Sequence, residues 1–199
     1  MAHIGIWGDS ITFGAGVPPG SSWVDQLRSD LFERDRESKI YNFGINGDTT
    51  AGLLQRFRRE YLETSPDTVI FAIGINDSAW QGRRDNNFVP FPRFESNLEK
   101  LVQEAQEFTR AIIVVGLTNV DESETVEDDS PELCYSNDMI SKYNSALQDL
   151  SKRHGLPFIP LFGILETSDL EDGLHPRAVG HRKSIIHSAL KMQKRISFR

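Results

Sequence analysis

The sequence predicts an α/β fold built on a parallel sheet, and three observations carry that expectation. Short apolar runs alternate with longer amphipathic segments from end to end, which is the pattern of successive βαβ units. Two of the runs, Val69-Ile70-Phe71 with Ile73 and Ile112 to Val115, are apolar at consecutive positions, as strands covered on both faces are. Three of the amphipathic segments also open on capping residues, and one of these closes on Gly155 before Pro157, the punctuation of helices.

Five strands and five helices follow in order. His3–Trp7 is the first strand, and Ser21 or Ser22 caps a helix whose apolar stripe is Trp23, Val24, Leu27, Leu31 and Phe32. Ile40–Phe43 is the second strand, followed by a helix capped by Thr49 or Thr50 that carries Leu53, Leu54, Phe57 and Tyr61. Thr68–Ile73 and Ala111–Leu117 are expected as the central strands, with a helix from Arg93 to Thr109 between them that turns Phe94, Leu98, Leu101, Val102 and Phe108 inward. Asn137 or Asp138 starts a fourth helix with Ile140, Tyr143, Leu147 and Leu150 at helical spacing, closed by Gly155 before a last strand at Pro157–Pro160. A final helix after Pro176 carries Ile185, Ile186 and Leu190.

Two long connections interrupt the alternation. Ser78 to Pro92 mixes Trp80, Phe88 and Phe91 with Arg83, Arg84 and Asp85. Thr118 to Ser136 is acidic, with Asp121, Glu122, Glu124, Glu127, Asp128, Asp129 and Glu132 and few apolar anchors, so mobility is expected there.

Length and composition bound the remaining possibilities. A chain of 199 residues, 38% hydrophobic, suits one globular domain over 1–199 with a core that needs neither disulfides nor metals. Its net charge of −7 disfavours nucleic acid or an anionic membrane surface as the main partner, since both attract basic patches. The basic group Arg56, Arg58 and Arg59 reads as a solvated helix face. The one cysteine, Cys134, can form no intramolecular disulfide and no cysteine cluster for zinc. No run approaches the length of a membrane span, so no stable membrane insertion is expected. No charged segment with a long apolar stretch precedes Gly8, so the expected localisation is cytoplasmic. Oligomeric state is not readable from the chain.

Four motifs carry chemistry: Gly8-Asp9-Ser10, Asn42-Phe43-Gly44 with Gly47, Gly74-Ile75-Asn76-Asp77, and Asp172-Gly173-Leu174-His175. Three follow strand-like runs and the last precedes the final helical pattern, where a parallel α/β fold exposes its site residues. Ser10 offers a hydroxyl nucleophile, His175 a base and Asp172 a carboxylate to orient it. The Gly44 amide and the Asn76 carboxamide offer donors to a developing oxyanion. Gly47 reads as relief of backbone strain, Asn42 as a loop brace, and Asp9 and Asp77 as turn residues. Taken alone, the Ser10 and Asn76 motifs can equally be turns at strand ends. His3, His154, His181 and His187 compete with His175, which alone has an aspartate three residues before it and a proline after it.

On these residues the chain resembles the SGNH hydrolase superfamily of GDSL-type esterases and lipases, with blocks spread over nearly its whole length. The resemblance implies a flavodoxin-like three-layer α/β/α sandwich with a five-stranded parallel sheet. It implies Ser10, Asp172 and His175 as the catalytic residues, and the Ser10 and Gly44 amides with Asn76 as the oxyanion hole. The first block reads Ile11 where the motif has leucine, an apolar exchange. No metal and no organic cofactor are required.

The expected function is therefore a serine esterase or acylhydrolase cleaving a small or short-chain carboxylic ester through an acyl-serine, its partner a small-molecule ester. A lysophospholipase or thioesterase is the alternative within the superfamily. Outside it stand a non-catalytic flavodoxin-like binding module and a Cys134 nucleophile, which lacks a histidine block and sits after an acidic loop that would raise its pKa. Trp80, Arg83 and Phe88 are candidate substrate contacts.

Overall fold

The computed structural model describes residues 2–84, 86–126 and 132–184. In chain order its elements are β1 (His3–Gly8), α1 (Ser10–Phe13), α2 (Trp23–Arg34), β2 (Lys39–Gly44), α3 (Thr50–Thr64), β3 (Thr68–Ala72), α4 (Ile75–Ser78), β4 (Trp80–Gln81), α5 (Phe91–Gln106), β5 (Ala111–Val115), α6 (Glu122–Thr125), β6 (Leu133–Cys134), α7 (Asn137–His154) and β7 (Phe158–Ile159). A 3₁₀ turn at Thr167–Asp169 and a helix over 178–184 follow. The apolar stripe expected at Ile185, Ile186 and Leu190 lies outside the described residues, as do His187, Asp85, Glu127, Asp128 and Asp129.

Five strands form one parallel sheet in the order β2-β1-β3-β5-β7, with helices on both faces. The period-two alternation of strand side chains sorts the core. Ile4, Ile6, Ile70, Ile113 and Val115 face α2, where Trp23 and Val24 are buried. Trp7, Val69, Phe71 and Ile112 face the opposite way, onto Leu53, Phe57 and Tyr61 of α3 and Leu101 and Ala105 of α5. A third cluster joins α5 to α7 through Phe94, Leu98, Tyr143 and Leu147. These stripes match those the sequence predicts for the helices, except that Phe32, expected on the buried stripe of α2, is 51% exposed.

The register places the functional loops. Gly8 at the end of β1 pairs with Gly44 on β2 and with Ala72 on β3. The carboxyl ends of three neighbouring strands are therefore level, and the segments after them emerge side by side at the edge where parallel sheets hold ligands.

Several details differ from expectation. α1, α4 and α6 are single helical turns too short for periodicity to reveal. Trp80 and Cys134 belong to a two-stranded antiparallel sheet, β4 with β6, which ties the two long connections together. The described ends of the acidic connection are not loose: Val120, Thr125, Cys134 and Tyr135 are all buried. Arg56 is no solvated group, because it is 8% exposed and pairs with Asp48 and Glu60 at 2.7 Å each, whereas Arg58 and Arg59 are exposed. A charged side chain at a helical interior position finds partners that composition alone does not announce.

Candidate active site

Ser10 is held by the turn it begins. β1 stops at Gly8, Asp9 caps α1 by accepting from the Ile11 amide at 3.0 Å, and Gly14 ends the turn in the left-handed region. Asn42 fastens the turn to β2: its amide nitrogen donates to the Thr12 carbonyl at 2.9 Å, and its Oδ1 accepts from the Gly44 amide at 2.9 Å.

His175 reaches Ser10 from the far end of the chain. Its Nε2 lies 2.8 Å from Ser10 Oγ, and its Nδ1 lies 2.7 Å from Asp172 Oδ2. The other oxygen of Asp172 accepts from the backbone amides of His175 at 2.7 Å and Leu174 at 3.1 Å, so the carboxylate organises the loop that holds its own imidazole. Gly173 permits the bend, with φ +77°. A Cβ there would also sit 2.6 Å from Glu124 Cβ.

Beside Ser10, the turn after β2 is pinned on two sides. The Ile45 amide donates to the Gly8 carbonyl at 3.1 Å, and the Asp48 carbonyl accepts from Asn76 Nδ2 at 2.8 Å. Asp77, next to Asn76, accepts from the Thr50 amide and hydroxyl at the start of α3.

This arrangement corrects the expectation for Gly44. Its amide is committed to Asn42 Oδ1, and a Cβ at Gly44 would lie 2.2 Å from the Phe13 nitrogen. The residue is glycine because α1 passes directly over β2. Gly47 sits in the pinned turn, exposed, with φ +73° and open space where a Cβ would be. Among the described residues no acceptor takes its amide. The sequence signal for it was the Gly47-Asp48 pair just before Thr49, the cap of α3, which does not separate an amide donor from a turn.

Electrostatics keep Asp172 ionised. Partial burial pushes its carboxyl up, but the His175 amide, its imidazole and the Leu174 amide outweigh that and hold it below the ordinary value. Asp9 goes the other way: burial, opposed by the Ile11 amide and reinforced by Asp77 and Asp48, lifts it to about 7. Asp77 is lifted to about 6 by burial against the Thr50 donors. His181, fully buried, is lowered to about 4 by burial and by His175.

Asp9 therefore holds a proton in the folded state that the unfolded chain releases at lower pH. Its contribution to stability is full below 3.8 and is lost as pH rises through about 7. Asp77 acts in the same direction up to about 6, while His181 acts oppositely between about 4 and 6.5, where the unfolded chain binds a proton that the folded one refuses. Comparison with Asp9→Asn isolates the first component. The wild-type unfolding midpoint is expected to fall relative to that of Asp9→Asn as pH rises from about 4 to about 7. A difference between the two that stays constant over that range contradicts this.

Of the expected substrate contacts, Trp80 is corrected. It is 3% exposed, paired with Cys134 and bridged to Asn87, with the Arg84 guanidinium 5.4 Å from its ring centroid. It is a core ring under the loop and offers no open face for stacking. Arg83 and Phe88 are exposed, and the Phe88 amide donates to the Ala79 carbonyl just beyond the turn that carries Asn76. Phe13 and Ile45, 55% and 45% exposed, add apolar surface beside Ser10 that sequence reasoning did not single out. Among the described residues no group of three or more His, Cys, Asp or Glu side chains could hold a metal ion, and no helix is long and apolar enough to cross a membrane.

The model of the GDSL-like lipase/acylhydrolase family matches residues 6–183. The chain belongs to that family. Esterase TesA of Pseudomonas aeruginosa is 27% identical over 112 residues, 56% of this chain, so the match spans about half (52%) of that relative's length. The isoamyl acetate-hydrolyzing esterase of Saccharomyces cerevisiae is 27% identical, with 93% of this chain and 82% of the yeast protein covered. The crystal structure of the lipase/acylhydrolase from Enterococcus faecalis superposes with a TM-score of 0.76 at 27% identity, covering 97% of both chains. Ser10, Asp172 and His175, which the family resemblance singles out, are the residues that the fold brings into one hydrogen-bonded chain.

Proposed function

We propose that the protein is a serine esterase that hydrolyses small or short-chain carboxylic esters through an acyl-serine intermediate. The observation that carries this reading is the continuous chain from Ser10 Oγ to His175 Nε2 at 2.8 Å and from His175 Nδ1 to Asp172 at 2.7 Å. A carboxylate bound at Nδ1 fixes the proton there and leaves the Nε2 lone pair facing the hydroxyl.

In the first half-reaction Ser10 Oγ bonds to the ester carbonyl carbon as its proton passes to His175 Nε2, and the carbonyl electron pair moves onto oxygen. The tetrahedral intermediate collapses by breaking the bond to the alkoxy group, which leaves as the alcohol with the proton from His175. Water then attacks the acyl-serine by the same steps, releasing the acid and restoring Ser10. The negative oxygen is held by the amides of Ser10 and Gly47 and by the Asn76 Nδ2 proton that Asp48 does not use. Gly47 takes the place expected for Gly44 because among the described residues its amide has no acceptor, and its turn is pinned between Gly8 and Asn76.

The small acyl group is supported by the yeast relative, which is named for hydrolysing isoamyl acetate. Phe13 and Ile45 supply an apolar rim beside Ser10, and Phe88 adds exposed apolar surface next to the turn that carries Asn76. A series of p-nitrophenyl esters of increasing acyl length is expected to give its highest kcat/KM at acetate to butyrate. A maximum at long acyl chains, or at an acyl thioester, overturns the small-ester assignment.

A further inference from the structure

Resting on the acyl-transfer reading above, we infer that Tyr135 is a positioning residue for the oxyanion donor Asn76 and fixes which way its carboxamide points. The Asp48 carbonyl can only accept, so the Asn76 nitrogen faces it at 2.8 Å, and Oδ1 faces the opposite side. There the Tyr135 hydroxyl donates to Oδ1 at 2.9 Å within the buried core. Two contacts on opposite ends of the carboxamide hold its plane and leave one N–H for the substrate. With the amide turned over, its oxygen would face both the Asp48 carbonyl and the developing oxyanion, and each would repel it.

Burial and the nearby Asp9 and Asp172 push the phenol up to about 12, so it remains a donor throughout the working range of an esterase. A donor on Oδ1 also polarises the carboxamide and strengthens the hydrogen bond its nitrogen makes.

The acidic connection is the device that delivers Tyr135. Its amide donates to the Thr125 carbonyl at 2.9 Å, and its carbonyl accepts from the Thr125 hydroxyl at 2.9 Å. The same turn is tied to the histidine loop, because the Asp121 amide donates to the Gly173 carbonyl at 2.8 Å and Glu124 packs on Gly173. One segment thus braces the loop that holds the base and, ten residues later, the group that stabilises the oxyanion.

The experiment is a double-mutant cycle of Tyr135→Phe and Asn76→Ala on p-nitrophenyl acetate. Tyr135→Phe is expected to lower kcat about tenfold with KM within about twofold, because the effect is on a group used in the transition state. In the Asn76→Ala background the same change is expected to alter kcat by less than about twofold, since nothing is left to position. An undiminished kcat in the single variant, or the same loss in both backgrounds, overturns the proposal. Thermal unfolding is followed for every variant because Tyr135→Phe leaves Asn76 Oδ1 without its buried donor. Should that variant not fold, Thr125→Val frees the Tyr135 carbonyl and keeps the phenol. Its expected kcat loss of about threefold must likewise vanish with Asn76→Ala, and persistence of the loss overturns the proposal. Turnover by Ser10→Ala would refute the acyl-transfer reading itself, a result separate from any in the cycle.

Discussion

Replacing Ser10 by alanine is expected to lower kcat on p-nitrophenyl acetate by about 10⁵- to 10⁶-fold, the scale seen when the nucleophile of another serine hydrolase is deleted. The hydroxyl is the atom that forms the acyl bond, and no other group in the described site replaces it. The fold is expected to persist. Among the described residues Ser10 gives its side chain to His175 alone, while α1 is held by the Asp9 cap and by Asn42. His175, with 21% of its side chain exposed, can bond water once the hydroxyl is gone. Stability is therefore expected to change by less than about 1 kcal/mol. Turnover within about tenfold of wild type would remove Ser10 from the mechanism.

Asp172→Asn is expected to cost about 10³- to 10⁴-fold in kcat, although the new side chain has almost the same shape. Oδ1 of the carboxylate already accepts two backbone amides, from Leu174 and His175, while Oδ2 faces His175 Nδ1. An asparagine keeps its oxygen on those amides, so its nitrogen must face Nδ1. That nitrogen donates, which forces the imidazole proton onto Nε2 and removes the lone pair that accepts from Ser10. KM is expected to change far less than kcat, and circular dichroism to be unaltered. A variant with wild-type kcat would show that the carboxylate, 54% exposed, neither orients nor charges the imidazole to any useful degree.

The parts of this molecule that were legible in the sequence are those whose signal is local. β3 and β5 announce themselves because a strand covered on both faces must be apolar at consecutive positions. α3 and α7 carry stripes that match the faces they bury. Asp172 and His175 stand three residues apart, so their contact is nearly a property of one loop. What the sequence hid depends on partners distant along the chain. Gly44 and Gly47 look alike until α1 is seen pressing on one of them. Arg56 looks like its exposed neighbours Arg58 and Arg59 until Asp48 and Glu60 close on it. Trp80 looks like a stacking platform until β6 covers it. Tyr135 gave no signal, because it lies in a polar connection and meets Asn76 across 59 positions of sequence.

The most direct measurement is intact-protein and peptide mass spectrometry after treatment with a fluorophosphonate, which traps a nucleophile activated by a base. A single adduct on the peptide containing Ser10, absent from Ser10→Ala, is the result predicted here. Unmodified protein under conditions that label a known serine esterase, or an adduct on any other residue, would contradict it.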